Sequence, residues 1–598
     1  MYRKHATQLQ FENFYLPFGG RLRSDNRWVS LAKLIPWTEF ETLYADTLTG
    51  SGMGCPAKSV RLALGSLIIK ERLGTSDEET VAQIQENPYL QYFLGFHEYR
   101  DTPPFDPSLF VHFRKRLGAE LVMAVNDRIA LRAISPSSPS DVSASKEKPG
   151  GLLASPAEVT DSGAPSVPGG EASEPISSAS SDAAGNHSGE AASPPPSESA
   201  GDDGSAGATF PTEAEAAGDD STAPPSTANQ GKLIMDATCA PADIAYPTDL
   251  NLLNEAREKA EQIIDVLHAP LKGQVTKPRT YRQKARKAYL SAAKARRLSA
   301  KKRQKAIGKQ LRFLQRDLAH IAWLLTHDAV SLLLLSSRQY RTLLIIHEVY
   351  RQQQTMFDQR CHRIEGRIVS LSQPHIRPIV RGKAGAPTEF GAKVSASLIA
   401  GYLFLDRIGW NNFNESTRLP EQIEQYHTRF GCYPESVHAD KIYRTRENRA
   451  YCRDRGIRLS GPPLGRPPKV TEENRAQHEA QQQIARQDEC DRIAIEGKFG
   501  QGKRRFGLGR VMAKLVTTSE CAIAVTFLVM NLEKVLRSLF SGLMSSLSEL
   551  VFRALETRVA ILVVLHAISK SILSCRRTIA VLLKMNLRDS LQIVSVYE

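Results

Sequence analysis

The chain lacks paired cysteines. Its eight cysteines, at positions 55, 239, 361, 432, 452, 490, 521 and 575, are scattered, and no two have Cys-x-x-Cys spacing. That excludes the common zinc and dithiol redox motifs and suits a reducing compartment better than secretion. The N-terminus, MYRKHATQLQFENFY, has no apolar stretch of the signal-peptide kind. The most apolar segments, residues 521–530 and 559–569, fall short of the ~18 uncharged residues that would span a bilayer. They read as buried helices of a soluble protein, so no membrane partner is expected. Large apolar side chains are almost missing from residues 134–231, where Ser, Ala, Pro, Gly and acids dominate. Such a segment buries too little surface to offset its ordering entropy and reads as a disordered acidic linker, either a mere tether or a competitor for a basic surface. Acid in turn is absent from residues 272–316, which hold seventeen Lys and Arg.

The 598 residues have room for three or four domains. Net charge is +14, but the linker alone carries fifteen acids and two lysines, so the rest of the chain stands at +27. Charge of that size suggests a polyanion partner, nucleic acid first, with a solvated basic surface as the plainer alternative. Residues 1–133 read as a compact helical domain. Thr38-Glu39-Phe40-Glu41 and Ser76-Asp77-Glu78-Glu79 have capping-box form, and the helical spacing between them stops at Gly74. Tyr89, Tyr92, Phe93 and Phe96 suit a core, with base stacking as the other option. Several short helices ending in Arg114, Lys115 and Arg116 suit DNA binding without proving a helix-turn-helix.

At Lys232 the composition changes. Leu233-Ile234-Met235 predicts a buried strand ending at Asp236, and Thr248 caps a helix to about His268. The acid-free basic run predicts one long helix for DNA or RNA contact. Strands follow around a central Gly401, then a helix over 420–430, a short strand ending at Asp440, a helix over 444–456, a strand at 457–460, and a polar helix from Thr471 to Glu496. That order describes an α/β sheet with helices on its faces. Past residue 540, apolar spacing suggests packed helices, either intramolecular core or a dimer contact.

Asp236 and Asp440 end predicted strands and Glu496 lies on a helix. Carboxylate oxygens are the ligands Mg²⁺ or Mn²⁺ prefers, and two such ions can drive phosphodiester chemistry with no side-chain nucleophile. Singly, each acid has an ordinary reading: a cap, or an ion pair with a nearby arginine. Arg492 and Glu496 share a helix face. Gly497, Gly500 and Gly502 are expected to loosen the helix, leaving Lys503 on a loop suited to phosphate, with Lys498, Arg504 and Arg505 adding charge.

These motifs resemble the DDE transposases of bacterial insertion sequences, in the branch with a Tyr-x2-Arg-x3-Glu-x6-Lys signature. Arg492, Glu496 and Lys503 meet that signature, Asp440 and Tyr443 meet Asp-x-x-Tyr, and Asp236-Ala237-Thr238 meets the first acid motif. QENPYLQYFLGF (85–96), DPSLFVHFRKRLG (106–118), AYPTDLNLLNEAR (245–257), HIRPIVRGKAGAPTEFGAK (375–393) and VMNLEK (529–534) resemble the same branch. The likeness covers about residues 10–130 and 232–535.

The resemblance implies an α/β protein: an RNase H-like mixed-sheet catalytic core with a helical insertion, plus an all-α N-terminal domain and the acidic linker. The implied layout is 1–133 for DNA binding, 134–231 as linker, 232–540 as catalytic domain with a basic helical insertion at about 255–375, and 541–598 as a helical C-terminal extension. It implies Asp236, Asp440 and Glu496 as catalytic residues and ligands of two Mg²⁺ or Mn²⁺ ions. It also implies cleavage at terminal inverted repeats, transfer of 3′-OH ends to target DNA, and DNA contacts from Arg492, Lys503 and Tyr443. A homodimer in the active complex and a cytoplasmic, nucleoid-associated location go with it. One departure is plain: the signature tyrosine falls at Glu489, and an acid there repels DNA. Three readings stay open: an active transposase, a transposase-derived DNA-binding protein that does not cut, and a metal-dependent nuclease without strand transfer.

Overall fold

Among the described residues, six α-helices precede the first strand in the computed structural model: α1 (Arg27–Leu34), α2 (Trp37–Asp46), α3 (Val60–Leu73), α4 (Asp77–Glu86), α5 (Pro88–Phe93) and α6 (Leu109–Ile134). The described residues are 15–16, 20–48, 56–134, 228–383, 386–462, 471–472 and 474–594; the segment read as a linker falls almost wholly outside them. Local chemistry sets most helix ends. The Ser76 hydroxyl accepts from the Glu79 N–H to start α4, and Gly74 ends α3 in the left-handed region at φ 70°. The box expected at Thr38 does not form: α2 begins at Trp37 after Pro36, with no side-chain cap. Pro36 leads into the first turn instead, while the Trp37 indole N–H donates to the Ala32 carbonyl.

A mixed sheet follows. Its strands are β1 (Lys232–Pro241), β2 (Arg377–Lys383), β3 (Ala386–Ile399), β4 (Tyr402–Gly409), β5 (Ser436–His438) and β6 (Arg458–Leu459). β1 is central, antiparallel to β3 with Asp236 opposite Ala396, and parallel to β5 with Leu233 opposite Val437. β5 pairs in parallel with β6. β3 is long enough to hold β2 along its first half and β4 along its second. Ala400 (φ 48°) and Gly401 (φ 79°) turn β3 into β4; two positive φ values in a row match the twist of a tight hairpin. Asp236 does not end its strand as expected. β1 continues five residues beyond it, because Ala237, Thr238, Cys239 and Ala240 are all buried and stay paired with β3.

Between β1 and β2 lies a helical insertion: α7 (Asp249–His268), α8 (Arg282–Ala293), α9 (Ala300–Leu324) and α10 (Ser337–Asp358). The basic run is therefore two helices, not one. Ser299 interrupts it with its side chain accepting from the Lys302 N–H, and α9 starts afresh. α7, α9 and α10 close a hydrophobic cluster of their own around Leu253, Ile264, Leu314 and Ile346. A separate, larger cluster runs from the N-terminal helices (Trp28, Phe93, Phe113) through the sheet (Leu233, Val394, Leu403). The helices before and after the linker segment thus share one core.

After β4 come α11 (Leu419–Phe430), α12 (Arg446–Asp454), α13 (Arg475–Arg505) and α14 (Val516–Val594). α13 is unbroken through Gly497, Gly500 and Gly502, which corrects the loop expected at Lys503. Gly502 owes its place to packing: a Cβ there would come within 3.1 Å of Leu508 and 3.2 Å of the Met530 sulfur. The first turns of α14 are core, with Phe527 and Leu528 buried. From residue 539 to 584 the described side chains of the same helix are exposed, so the stretch 559–569 is not a buried helix. Val516–Lys584 includes a window long and apolar enough to cross a membrane by length and composition.

Candidate active site

Asp236 sits mid-strand on β1, on the face it shares with Ile234, in a ladder where side chains alternate. It lines a cleft of about 440 Å³ with Asp440, Glu415, Lys393 and Asn412. Burial pushes the Asp236 carboxyl up to about 6; the neighbouring Ala237 N–H, which donates to it at 2.8 Å, pulls the other way. The carboxylates of Glu415 and Glu496 also raise it, and Arg492 lowers it. α13, although it belongs to a distant part of the sequence, packs against β1 and brings the Glu496 charge near enough to act on Asp236.

Asp440 follows β5 by two residues, exposed, and caps a single 3₁₀ turn: its Oδ1 accepts from the Lys441 N–H at 2.6 Å. Glu496 is half exposed and paired with Arg492 at 2.9 Å, one turn earlier on α13. These two bonds occupy carboxylates that a metal would need. Among the described residues no three His, Cys, Asp or Glu side chains converge as a metal-binding group. The donor chemistry nonetheless fits a hard divalent ion: carboxylate oxygens from Asp236 and Asp440 line one cleft.

Glu415 and Lys393 were not legible as site residues. Lys393, on β3, bonds Glu415 (2.8 Å), the Phe413 carbonyl (2.7 Å) and Asn412 (3.2 Å), and so ties the loop after β4 over the cleft. The only signal was the stretch 375–393 that ends on Lys393; nothing marked Glu415.

The structure separates the remaining basic candidates. Arg492 lines a second cleft of about 400 Å³ with Arg444, Arg486 and Glu489, so the acid at the signature-tyrosine position stands among three guanidiniums. Because α13 is unbroken, Arg492, Glu496 and Lys503 form one stripe. Arg504 and Arg505 line a cavity of about 610 Å³ with Lys70, Arg114 and Arg510, against α3 and α4. Arg505 also approaches Glu533 at 3.8 Å. Lys498 is partly buried near Arg537, and burial lowers its pKa. Tyr443 is fully buried, with burial first and then the charges of Glu415 and Asp236 raising its pKa. It lies beneath the acids as core, not on a DNA-facing surface, which corrects its expected role.

Two family models match the chain. The Transposase DDE domain covers residues 437–533 and the Transposase domain (DUF772) covers residues 17–116. One match takes in Asp440, just past β5, with Arg492, Glu496 and Lys503 on α13; the other takes in the N-terminal helices. Both matched regions are similar to transposase domains, consistent with a bacterial insertion-sequence DDE transposase. An uncharacterized protein, ORF8 in the nfe locus of Rhizobium meliloti, is 37% identical over 92 residues, which is 15% of this chain and 44% of that protein. The chain therefore spans less than half the length of this curated relative. No solved structure matches.

Proposed function

We propose that the chain cuts DNA at the terminal inverted repeats of an insertion sequence and joins the 3′-OH ends to target DNA, on an RNase H-like catalytic core. The observation that carries this reading is that Asp236 and Asp440 line one cleft while Glu496, from α13, is close enough to act on the Asp236 carboxyl. The sheet supports the fold assignment: an antiparallel β1–β3–β4 part, then β5 and β6 parallel to β1, with the third acid on a following helix.

Asp236, Asp440 and Glu496 would hold two Mg²⁺ or Mn²⁺ ions. Bound there, the ions supply Lewis acidity for phosphodiester cleavage and strand transfer. The protein's own groups do the rest. Arg492 orients Glu496, and on releasing it turns to a phosphate. Lys393 holds the Glu415 loop in place. Arg444, Arg486, Lys503, Arg504 and Arg505 provide cations for the DNA backbone. Lys498, partly buried, stands back from that surface. The active complex is read as a homodimer working in the bacterial cytoplasm at the nucleoid.

A second reading, a DNA-binding derivative that does not cut, is favoured by Glu489, which sets a negative charge where DNA would pass. One assay separates them: labelled element-end DNA, a target plasmid and Mg²⁺. Joined products support transposition, and cleavage without joining indicates a nuclease. Binding alone, with Mn²⁺ also failing, would sink the enzymatic reading. Asp236→Ala, Asp440→Ala and Glu496→Ala should each abolish cutting and keep binding; loss of binding in all three marks them as structural acids.

A further inference from the structure

We propose that residues 540–582 of α14 pair with the same segment of a second copy of this chain as a two-stranded coiled coil. The inference goes beyond the catalytic reading and stands whether or not the chain cuts DNA.

The pattern of the exposed helix carries it. From Phe540 to Leu582, steps of four and three residues alternate without a slip. One line of this seam holds Met544, Val551, Arg558, Leu565, Ile572 and Ile579. The other runs from Phe540 through Ile561, Ile568 and Cys575 to Leu582. Arg558 is the one charge on the seam, and a single polar residue at such a position is a known way to fix register. A second row, diametrically opposite, repeats every seven residues: Glu549, Glu556, then Lys570, Arg577 and Lys584, with Val563 as its one apolar member. Further exposed apolar side chains, Leu555, Val559, Leu562 and Val564 among them, flank the seam and widen it, while the charged row marks the face turned to water.

Among the described residues nothing covers the seam. Leu565 is 56% exposed, Ile572 55% and Ile579 56%. The same helix is anchored at its start, where Phe527 and Leu528 are buried in the main core. A second copy would therefore be held by a rod that is rigidly continuous with the fold.

A lipid bilayer is the competing occupant, since part of this helix is apolar enough to span one. Two features favour a protein partner. The seam is roughly 65 Å long at 1.5 Å per residue, about twice a bilayer's hydrocarbon core of ~30 Å. And its charged row, apolar only at Val563, resumes at Lys570 in the same register as Glu549 and Glu556. A membrane span has no use for a seven-residue charge repeat.

The test is the mass of the full-length protein by sedimentation at micromolar concentration, for wild type and for the double variant Ile568→Lys/Ile572→Lys. Wild type should sediment as two chains and the variant as one, with an unchanged melting temperature for the globular part. Maleimide labelling read by peptide mass gives a second measure. Cys575, on the seam, should react at least several-fold more slowly than the exposed Cys490 in wild type and catch up in the variant. A wild-type mass of one chain, a mass of two chains that persists in the variant, or any higher assembly overturns the proposal. So does a wild-type protein that floats with neutral phosphatidylcholine vesicles, which would assign the helix to a membrane.

Discussion

Asn531 on α14 donates to the side-chain oxygen of Asn126 on α6 at 2.8 Å, and both amides also donate to the carbonyl of Leu403 on β4, at 2.7 and 3.0 Å. The Leu403 N–H returns a bond to Asn531 at 2.9 Å. Both asparagines are buried. An N-terminal helix, an edge of the sheet and the first turns of α14 are thus joined by one small polar knot inside an apolar core. Replacing Asn531 by Leu strands the Leu403 N–H and the Asn126 oxygen without water. At about 1–3 kcal/mol for each buried group left unpaired, the expected loss is roughly 2–6 kcal/mol, read as a lower melting temperature and urea midpoint. An unchanged midpoint would mean that the knot is not holding the two parts together.

Glu489 shares its cleft with Arg444, Arg486 and Arg492. If DNA passes there, Glu489→Gln removes a repulsive charge and frees three cations. Affinity for element-end DNA should rise several-fold at low salt, and the gain should shrink as salt screens it. Fluorescence anisotropy across a salt series checks this; weaker or unaltered binding would place the DNA elsewhere.

The start of α9 carries Lys301, Lys302 and Arg303, all well exposed apart from the partners of the first turn. If they meet phosphates, changing all three to Ala should flatten the plot of log K against log salt by up to about 3, since each phosphate contact contributes roughly 0.9 to the slope. The melting temperature should hardly move, as surface changes rarely exceed about 0.5 kcal/mol. A slope equal to wild type would assign these charges to solvent.

Asp317, on α9, is fully buried, and neither carboxyl oxygen has a hydrogen-bond partner among the described residues. Burial, then the nearby Glu261 charge, pushes its pKa up to about 8 from an ordinary value near 3.8. Because the folded value is the higher one, the neutral acid is favoured by folding. Its stabilising share is complete below pH 4 and is lost as pH rises through 8. At roughly 1.4 kcal/mol for each pH unit between the two values, several kcal/mol are at stake. Asp317→Asn should abolish most of the difference in melting temperature between pH 5 and pH 8.5. An equal pH dependence in both proteins would show that Asp317 is ionised in the fold.

The sequence marks features set by local chemistry and misses those set by packing. Ser76, Thr248 and Gly74 could be read directly, since a cap or a left-handed residue acts within one turn. The hairpin around Gly401 was equally plain. By contrast, the glycines of α13 point toward a break by propensity, and the helix survives because Gly502 lets Leu508 and Met530 approach. Asp236 seemed to end a strand because the apolar run stops there, yet pairing with β3 carries β1 onward. Of the site itself, the three acids were visible through their motifs. Lys393 and Glu415 were not, because their meeting depends on where a loop lands after a hairpin is closed.

The pairing of β1 also bears on how the site adapts to a substrate. Asp236 is fixed to the middle of a strand whose register with β3 runs from Ile234 to Pro241, so its position is a datum that the fold does not allow to drift. Asp440 stands past the end of a three-residue strand, and Glu496 rides on a helix that meets the sheet through the Lys232–Asp491 and Arg458–Asp488 ion pairs. On the proposed function, a tightening of the three acids around a phosphate is expected to come from α13 moving toward β1, and would carry Arg492 and Lys503 with it.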